Sequence, residues 1–254
     1  MQKITITSDF HTHTTYSHGT GSVLDNALVA QQKGLDYVAI TDHGTNHPIV
    51  GVNRRKFSKI RKDIENVQTQ LEHTKVLFGI EANIIGLDGE IDLTPSDISQ
   101  LDVVLAGFHL TSFPSKFSNY FKLSWNGVIH IFGPSSKGQM ERNTRAYVNV
   151  VKNNPIDIMT HPGFRLDLDM KEIGKVCADY GTYLELSSRH RTPNEKTIED
   201  LLSTDVMFVV NSDSHKPQGV GEWDFALELI EKYNIPPERI ANCNHKLPTF
   251  RSKR

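Results

Sequence analysis

The chain has 254 residues, of which 37% are hydrophobic and 23% are charged, and its formal net charge is −2. These values are ordinary for a globular protein, and the near-neutral charge argues against long nucleic acid and anionic membranes as partners. Cys177 and Cys243 are too few and too far apart for a disulfide framework, and no apolar run approaches the roughly 18 residues of a membrane span, so we expect a cytoplasmic protein.

Seven short apolar runs predict the strands of a β-sheet, and segments with helical periodicity lie between them. In chain order the predicted strands are 4–6, 37–40, 76–78, 103–105, 156–159, 183–186 and 207–210. The predicted helices include one that Ser22 caps and Gly34 ends, followed by 141–152, 169–180, 197–202 and 222–233. This alternation of strand and helix predicts right-handed crossovers and therefore a parallel sheet.

The length of the chain suits one large α/β barrel, which typically needs about 250 residues, better than two small domains. We therefore predict a single domain over residues 1–254. Periodicity alone leaves open whether the seven predicted strands close into a barrel.

One segment, at about residues 111–138, has neither helical nor strand periodicity. It contains several aromatic residues among Ser, Pro and Gly, namely Phe113, Phe117, Tyr120, Phe121, Trp125 and Phe132. Irregular segments of this length in compact domains are usually functional or disordered, and the aromatic content argues against disorder. We favour an insertion that packs on the barrel or on a second subunit over a lid that covers the site.

Most of the predicted strands lead into residues that can bind a metal. Parallel strands place their carboxyl ends on one face, so ligands that are scattered along the sequence would converge there. The strongest local pattern is Asp9-Phe10-His11-Thr12-His13, in which the alternate residues His11 and His13 can reach one metal and Asp9 has the parity to orient them. A third imidazole, His18, follows in the next loop.

The other strand ends carry the same chemistry. They present Asp42 with His43, Glu81, His109, His161, and Asp213 with His215. Borderline divalent metals such as zinc accept both imidazole and carboxylate ligands. Glu81 lies in an apolar run, and because a buried unpaired carboxylate costs several kcal/mol, it needs a cation, which a position shared between two metals would supply.

Histidines away from these strand ends are expected to be surface or packing residues. They are His47, His73, His130, His190 and His245. The basic tail that contains Lys246, Arg251, Lys253 and Arg254 is expected to be a solvated end.

Taken in order, these motifs resemble those of the polymerase and histidinol phosphatase (PHP) domain family over nearly the whole chain. The matching segments are Asp9-Phe10-His11-Thr12-His13-Thr14, Ile40-Thr41-Asp42-His43-Gly44, Gly79-Ile80-Glu81-Ala82-Asn83, Ala106-Gly107-Phe108-His109, Thr160-His161-Pro162-Gly163 and Asn211-Ser212-Asp213-Ser214-His215. The chain is most similar to compact stand-alone phosphatase-like members. The resemblance implies a distorted (β/α)7 TIM-like barrel, phosphoester hydrolysis and a trinuclear metal centre.

The resemblance also implies three divalent metal ions, usually zinc, with manganese or iron as alternatives. The implied ligands fall into three sets, one for each metal, with Glu81 shared between the first two. The sets are His11, His13, Glu81 and Asp213; Glu81, His109 and His161; and His18, His43 and His215. Every implied ligand is present, which disfavours a non-catalytic metal-binding module.

We therefore predict a metal-dependent phosphoric ester hydrolase. Within that class we expect a phosphomonoesterase that acts on a small phosphorylated metabolite with a metal-activated hydroxide. The predicted catalytic residues are Glu81, Asp42 and Asp9, with Asp42 as a candidate proton donor to the leaving alcohol. The candidates for binding the phosphate or the leaving group are the basic residues Arg165, Arg189 and Lys216.

Two other enzyme classes are compatible with these motifs. A phosphodiesterase or nuclease that acts on nucleotides or short nucleic acid would use the same metal centre. An amidohydrolase also has an HxH motif on its first strand, but its bridging ligand lies later in the chain than the third strand, where Glu81 stands. The sequence does not predict the substrate, the native metal or the oligomeric state.

Overall fold

The computed structural model describes residues 4–114, 133 and 135–253, and its central feature is a sheet of seven parallel strands. The strands are β1 (Ser8–Thr12), β2 (Tyr37–Ile40), β3 (Lys75–Asn83), β4 (Val103–Gly107), β5 (Ile158–Met159), β6 (Tyr183–Ser187) and β7 (Phe208–Asn211). Each strand pairs in parallel with the next one in the chain, from β1 through to β7. This order confirms the predicted α/β barrel architecture.

Helices connect the strands. They are α1 (Val23–Gln32), α2 (Phe57–Gln68), α3 (Pro95–Ile98), α4 (Lys137–Asn153), α5 (Met170–Tyr180), α6 (Ile198–Leu202) and α7 (Asp224–Lys232). Ser22 caps α1 as predicted, and its hydroxyl accepts a hydrogen bond from the Asp25 backbone N–H. The prediction that a helix begins at residue 141 was wrong, because Ser136 caps α4 and so places its first residue at Lys137.

Polar groups, rather than a continuous strand ladder, nearly close the barrel between β1 and β7. The Asn242 side chain lies in this seam, where Nδ2 donates to the carbonyls of Ser8 and Val210, both at 2.7 Å. Asn211 Oδ1 accepts from the Phe10 backbone N–H at 2.9 Å. Above these contacts the His13 backbone N–H donates to the Ser214 carbonyl at 2.8 Å, which brings the ends of the first and last strands together.

A register shift in β1 lets adjacent residues of this short strand face two different regions of the barrel. Asp9 pairs with Val38 and Thr12 with Ile40, so β1 carries one more residue than β2 over this stretch. Such a bulge redirects side chains. As a result Phe10 packs into the apolar interior, whereas the adjacent His11 faces the carboxyl end of the barrel. The strand is therefore the ligand-bearing segment itself, and the prediction of a first strand at 4–6 was wrong in position.

The interior at the amino ends of the strands is apolar. It is filled by Phe10, Ala39, Val103, Leu105, Ile158, Val209, Ala241 and Phe250. The rings of Phe10 and Phe250 meet edge to face with centroids 5.3 Å apart. The prediction of a solvated tail was therefore only partly right: Lys246 and Lys253 are exposed, but Phe250 is buried in the barrel.

Most of the predicted insertion at 111–138, namely residues 115–132 and 134, lies outside the described residues. Its described start lies beside the site, because Ser112 Oγ donates to Asn83 Oδ1 at 2.7 Å. At its other end the Ser135 backbone N–H donates to Asp167 at 2.6 Å. The choice between a packed insertion and a lid stays a prediction. In the described part of the chain, no helix combines the length and apolar character needed to cross a membrane.

Candidate metal centre

The carboxyl ends of the strands bring the predicted ligands together around Glu81. This residue lies on β3 and is fully buried. Imidazole nitrogens of five histidines surround its carboxylate at 2.7–3.7 Å, namely those of His11, His13, His43, His109 and His161. Ligands from β1, from the segment after β2 and from those after β4 and β5 thus meet at one side chain.

Asp213 is a second carboxylate around which imidazoles gather. Its Oδ1 lies 3.2 Å from His13 Nε2 and 3.4 Å from His215 Nδ1. The backbone of Asp213 has φ of 54°, in the left-handed region. His161, beside Glu81, also has a positive φ of 29°. Such conformations cost free energy in residues other than glycine and are concentrated at functional sites, so both residues are held in place by their surroundings.

His18 extends the centre towards the surface. Its ring centroid lies 4.1 Å from that of His215 and 4.8 Å from that of His43. His18 itself is exposed, whereas His43 is buried. The nine predicted ligands therefore form one continuous cluster that runs from the barrel interior to its mouth.

The buried polar atoms of this cluster fit divalent metals. Three of them that face the centre have no hydrogen-bond partner, namely Glu81 Oε2, Asp213 Oδ1 and His43 Nδ1. His43 Nδ1 and Glu81 Oε2 lie only 3.0 Å apart. Two ligand atoms that face each other without hydrogen-bond geometry are expected around a shared cation. Nitrogen and carboxylate oxygen are also the donor types that zinc accepts.

Among the residues that the structure describes, four groups of ligand atoms are compact enough to hold an ion. They are His13, His43 and His215; His11, His13 and Asp213; His43, Glu81 and His109; and His161, His190 and Asp213. These groups overlap only in part with the predicted sets. Glu81 is absent from the group of His11, His13 and Asp213, and His13 takes the place of His18 beside His43 and His215. His161 groups with His190 and Asp213 rather than with Glu81. His43 joins the group of Glu81 as well as that of His215, and His190 joins the cluster through Asp213, with its Nε2 3.0 Å from Asp213 Oδ2.

The electrostatics of the metal-free cluster keep Glu81 ionised. Burial opposes its ionisation, but the neighbouring imidazoles, first His11 and then His109, outweigh burial and hold the pKa of the Glu81 carboxyl well below its usual value. Burial lowers the pKa of His215 to about 4, and it also lowers that of His18 to about 4. At neutral pH these two imidazoles are therefore uncharged and have a lone pair free for a metal.

The two other predicted catalytic carboxylates, Asp42 and Asp9, fix loops in place through hydrogen bonds. The Thr14 backbone N–H and hydroxyl donate to Asp42 at 2.7 and 2.6 Å, and the Ser17 hydroxyl donates to Asp42 as well. Asp42 thus fixes the loop that carries His18. Asp9 accepts backbone N–H groups, including that of Gly221 at 2.9 Å, and among the described residues it forms no hydrogen bond or ion pair with an imidazole ring.

Two residues that sequence reasoning did not select orient the imidazoles. Asn83 Oδ1 lies 2.8 Å from His109 Nδ1, and the Asn83 amide in turn donates to Asp92 at 2.6 Å. Glu185 Oε1 lies 2.8 Å from His11 Nδ1. The sequence contains a signal for a functional role of Glu185, because this ionisable residue lies inside an apolar run, as Glu81 does. It contains no such signal for Asn83.

Gly107 lets the chain approach closely beside the cluster. A Cβ atom at this position would lie 2.3 Å from Thr160 Oγ1 and 2.8 Å from His161 Cε1. Because contacts this short do not occur, any larger residue would displace His161.

Two cavities adjoin the centre and place the predicted substrate-binding residues. One, of about 420 Å³, lies over the ligands, with Arg165 and Phe164 on its wall. The other, of about 490 Å³, runs beside it and is lined by charged groups that include Lys216, Arg191, Glu222 and Asp224. Arg189 lines both cavities.

The chain is similar to proteins of one family. The PHP domain family matches residues 9–189. A probable phosphatase of Caldanaerobacter subterraneus subsp. tengcongensis is 30% identical, over 95% of this chain and 89% of the relative. A probable phosphatase of Shewanella sp. (strain MR-4) is 33% identical, over 92% of this chain and 86% of the relative.

The fold is similar to that of a solved histidinol phosphate phosphatase. This protein, from Lactococcus lactis subsp. lactis, was crystallised with zinc, L-histidinol and phosphate. Its TM-score with the present structure is 0.62, at 17% sequence identity over 97% of both chains. At this identity the likeness concerns the fold, which agrees with the predicted distorted barrel.

Proposed function

Since the chain belongs to the PHP domain family, we propose that it is a metal-dependent phosphomonoesterase that hydrolyses a small phosphorylated metabolite at a centre of three divalent metals. The observation that carries the proposal is the convergence of five imidazoles on the buried Glu81 carboxylate, with buried ligand atoms that have no hydrogen-bond partner. The names of its relatives as probable phosphatases support the reaction class.

We assign the metals, preferably zinc with manganese or iron as alternatives, as the family resemblance implies. The three sets are His11, His13, Glu81 and Asp213; Glu81, His109 and His161; and His18, His43 and His215. The contact of His43 with Glu81 at 3.0 Å supports a close approach of the third metal to the other two. When bound, the metals would supply Lewis acidity towards the phosphoryl oxygens and would lower the pKa of water towards about 7.

Charge explains why the chain needs these cations before it can bind its substrate. Glu81 and Asp213 are buried carboxylates, and the pKa of each is held well below its usual value. In the metal-free state these charges are balanced only by imidazoles such as His11 and His161, where burial is outweighed by the neighbouring carboxylates, which raise the pKa, so the centre offers a phosphate little net positive charge. Bound divalent cations would supply that charge, so phosphate binding should depend on metal.

Cationic side chains at the mouth complete the proposed phosphate site. Arg189 lies between the two cavities, with Nε 4.0 Å from Asp213 Oδ2. We propose that it contacts the phosphate, and that Arg165 and Lys216 steer the substrate from the walls of the two cavities. The charged lining of the 490 Å³ cavity favours a polar leaving group.

We propose positioning roles for Asp42 and Asp9. Both oxygens of Asp42 accept hydrogen bonds from Thr14, so this carboxylate is better placed to hold the loop of His18 than to protonate a leaving alcohol. Asp9 joins β1 to the loop at Gly221 in the same manner. Glu81 remains the proposed catalytic carboxylate, as the ligand shared between two metals.

The proposal is tested by metal content and by hydrolysis of two generic substrates. Protein purified without chelator is analysed for metals, and its hydrolysis of an aryl phosphomonoester and of an aryl phosphodiester is measured before and after metal stripping. We expect about three metals for each chain and monoester cleavage that returns when metal is restored. Protein that binds no metal under replete conditions would contradict the proposal.

A phosphodiesterase that acts on nucleotides or short nucleic acid is the second candidate. The two cavities on either side of Arg189 favour it, because a diester carries a group on each side of its phosphate. Bound metal with cleavage of the diester alone would move the protein to this class. In either case we propose a cytoplasmic enzyme, which agrees with two free, buried cysteines.

A further inference from the structure

Glu185 connects several parts of the centre from inside the barrel. It lies on β6 and is fully buried. Its Oε1 accepts hydrogen bonds from His11 Nδ1 at 2.8 Å and from Asn211 Nδ2 at 2.9 Å. Its Oε2 accepts from the His161 backbone N–H at 2.8 Å. One carboxylate thus contacts β1, β7 and the residue that follows β5.

In the described part of the chain, no Lys or Arg side chain forms an ion pair with the Glu185 carboxylate. A buried carboxylate is costly unless a cation compensates it. The hydrogen bonds of Glu185 are also not needed to join β1 to β7, because Asn242 and Ser214 connect these strands without it. The basic group that contacts it is the His11 ring, with Nδ1 2.8 Å from Oε1, so the charge of Glu185 acts on the metal centre through this imidazole.

The hydrogen bond to His11 decides which nitrogen of this ring faces the centre. A carboxylate can only accept, so Nδ1 of His11 must carry the hydrogen. Nε2, which lies 3.3 Å from Glu81 Oε2 and 3.7 Å from Asp213 Oδ1, is then the nitrogen that can give up its proton and offer a lone pair to a metal. This is the arrangement that carboxylate partners impose on metal-binding histidines in general.

We propose that Glu185 is a positioning residue that prepares the two metal sites sharing Glu81, by fixing the ring of His11 and the backbone of His161. The inference rests on the proposed metal centre. Glu185 holds one ligand of each of these two sites, and among the described residues it forms no hydrogen bond or ion pair with His18, His43 or His215, which form the third. Its loss should therefore weaken two sites and spare one.

The test compares Glu185→Gln with Asp157→Asn. Asp157 is a matched control, since it is also a buried carboxylate inside the barrel that accepts hydrogen bonds, but its donors are Val104 and Ser252 at the opposite end. A glutamine at 185 keeps the size of the side chain but removes its charge. It also keeps only one acceptor oxygen, so its NH2 group must face either the Nδ1–H of His11 or the backbone N–H of His161.

Zinc affinity is measured by competition with a chelator, and the tautomer of His11 is measured by nitrogen NMR of the zinc-loaded protein. We expect Glu185→Gln to weaken the two sites about 10–100-fold, the range typical of lost carboxylate partners, and to leave the third site unchanged. We also expect the Nδ1–H tautomer of His11 to lose its dominance. Asp157→Asn should retain the affinities of all three sites.

Three outcomes separate the inference from the proposed function. A Glu185→Gln protein that binds all metals as tightly as the parent overturns the inference alone. Equal losses of affinity in Glu185→Gln and Asp157→Asn, in step with their losses of thermal stability, overturn it too, because they indicate general destabilisation. A parent protein that binds no zinc contradicts the proposed function and, with it, this inference.

Discussion

The two ends of the barrel both bury carboxylates, but they satisfy them differently. At the amino end, Asp157 accepts the backbone N–H groups of Val104 at 2.7 Å and Ser252 at 2.8 Å, together with the Ser252 hydroxyl. At the carboxyl end, Glu81 and Asp213 each keep a buried oxygen without a hydrogen-bond partner. The chain's own hydrogen-bond donors therefore satisfy the carboxylate at the amino end, which we call the lower end. The carboxylates at the carboxyl end, the upper end, require added cations.

This difference separates stability from activity within one barrel. The lower end is closed by apolar packing of Phe10 and Phe250, and its buried carboxylate Asp157 is hydrogen-bonded to Val104 and Ser252. The upper end keeps imidazoles and carboxylates in contact at 2.7–3.7 Å, an arrangement that costs free energy until a metal binds. Changes at the upper end should therefore act on metal binding and catalysis, and changes at the lower end on folding.

Glu81→Gln is expected to have the largest effect. It removes the charge that five imidazoles surround, and with it the ligand that two metals would share. A metal ion supplies several kcal/mol of transition-state stabilisation, so we expect phosphomonoester hydrolysis to fall at least about a thousandfold, or about 4 kcal/mol. Steady-state kinetics and metal analysis measure the change.

The lower-end counterpart, Asp157→Asn, is the control for this comparison. We expect it to lower the free energy of unfolding by about 1–2 kcal/mol, the cost of an impaired buried hydrogen bond, with turnover within about twofold of the parent. Turnover that falls equally in both variants would contradict the division between the two ends.

Removal of the metals is expected to have the next largest effect. A ligand that binds only the folded state stabilises it by about 4.1 kcal/mol when present at 1,000 times its Kd. For a chain of this size that corresponds to a drop in Tm of roughly 10 °C when a chelator is added. Differential scanning calorimetry of the parent and of Glu81→Gln tests this, because the variant should respond much less to chelator. An equal response in both proteins would place the stabilising metal elsewhere.

Phe250→Ala should break the lower end without affecting the upper. It removes a side chain that is 8% exposed and its edge-to-face contact with Phe10. Loss of a core phenylalanine costs about 3–5 kcal/mol, and the position of Phe250 near the chain end favours the lower value. Urea unfolding measures the loss. Metal content and turnover of the folded fraction should match the parent, and a lower metal content would show that the two ends are coupled.

The sequence predicts elements whose boundaries depend on local chemistry. The limits of β2 follow directly from its apolar run, and those of α1 follow from Ser22 and Gly34, because a capping hydroxyl and a residue with φ of 71° act on adjacent backbone only. The strand-end ligands converge as expected, since parallel strands in a barrel leave them no other place.

Long-range contacts explain what the sequence did not predict. The bulge in β1 turns Phe10 inward and His11 towards the ligands, and no local pattern specifies such a change of direction. Asn242 enters the seam from a distant part of the chain. His190 was expected to be a surface or packing residue, but it reaches Asp213 from the segment that follows β6. Each of these features depends on which residues the folded chain brings next to one another.

The smallest predicted effect concerns pH and His215. In the metal-free protein burial lowers the pKa of this imidazole to about 4, below the unfolded value near 6.5. Above pH 6.5 both states are neutral and His215 contributes nothing to the pH dependence. As pH falls towards 4, the unfolded chain takes up a proton first, so the folded state loses stability over this window.

His215→Gln should remove this loss. Between pH 7 and 5.5 the parent's free energy of unfolding should fall further than that of the variant by on the order of 1 kcal/mol, because the unfolded imidazole is then largely protonated and the folded one is not. Urea unfolding in the presence of chelator measures both, and His73→Gln, at an exposed position, is the control. Parallel pH profiles for the parent and His215→Gln would mean that the upper end does not hold this imidazole neutral. The contrast between the two ends would then rest only on the carboxylates of the upper end that lack a hydrogen-bond partner.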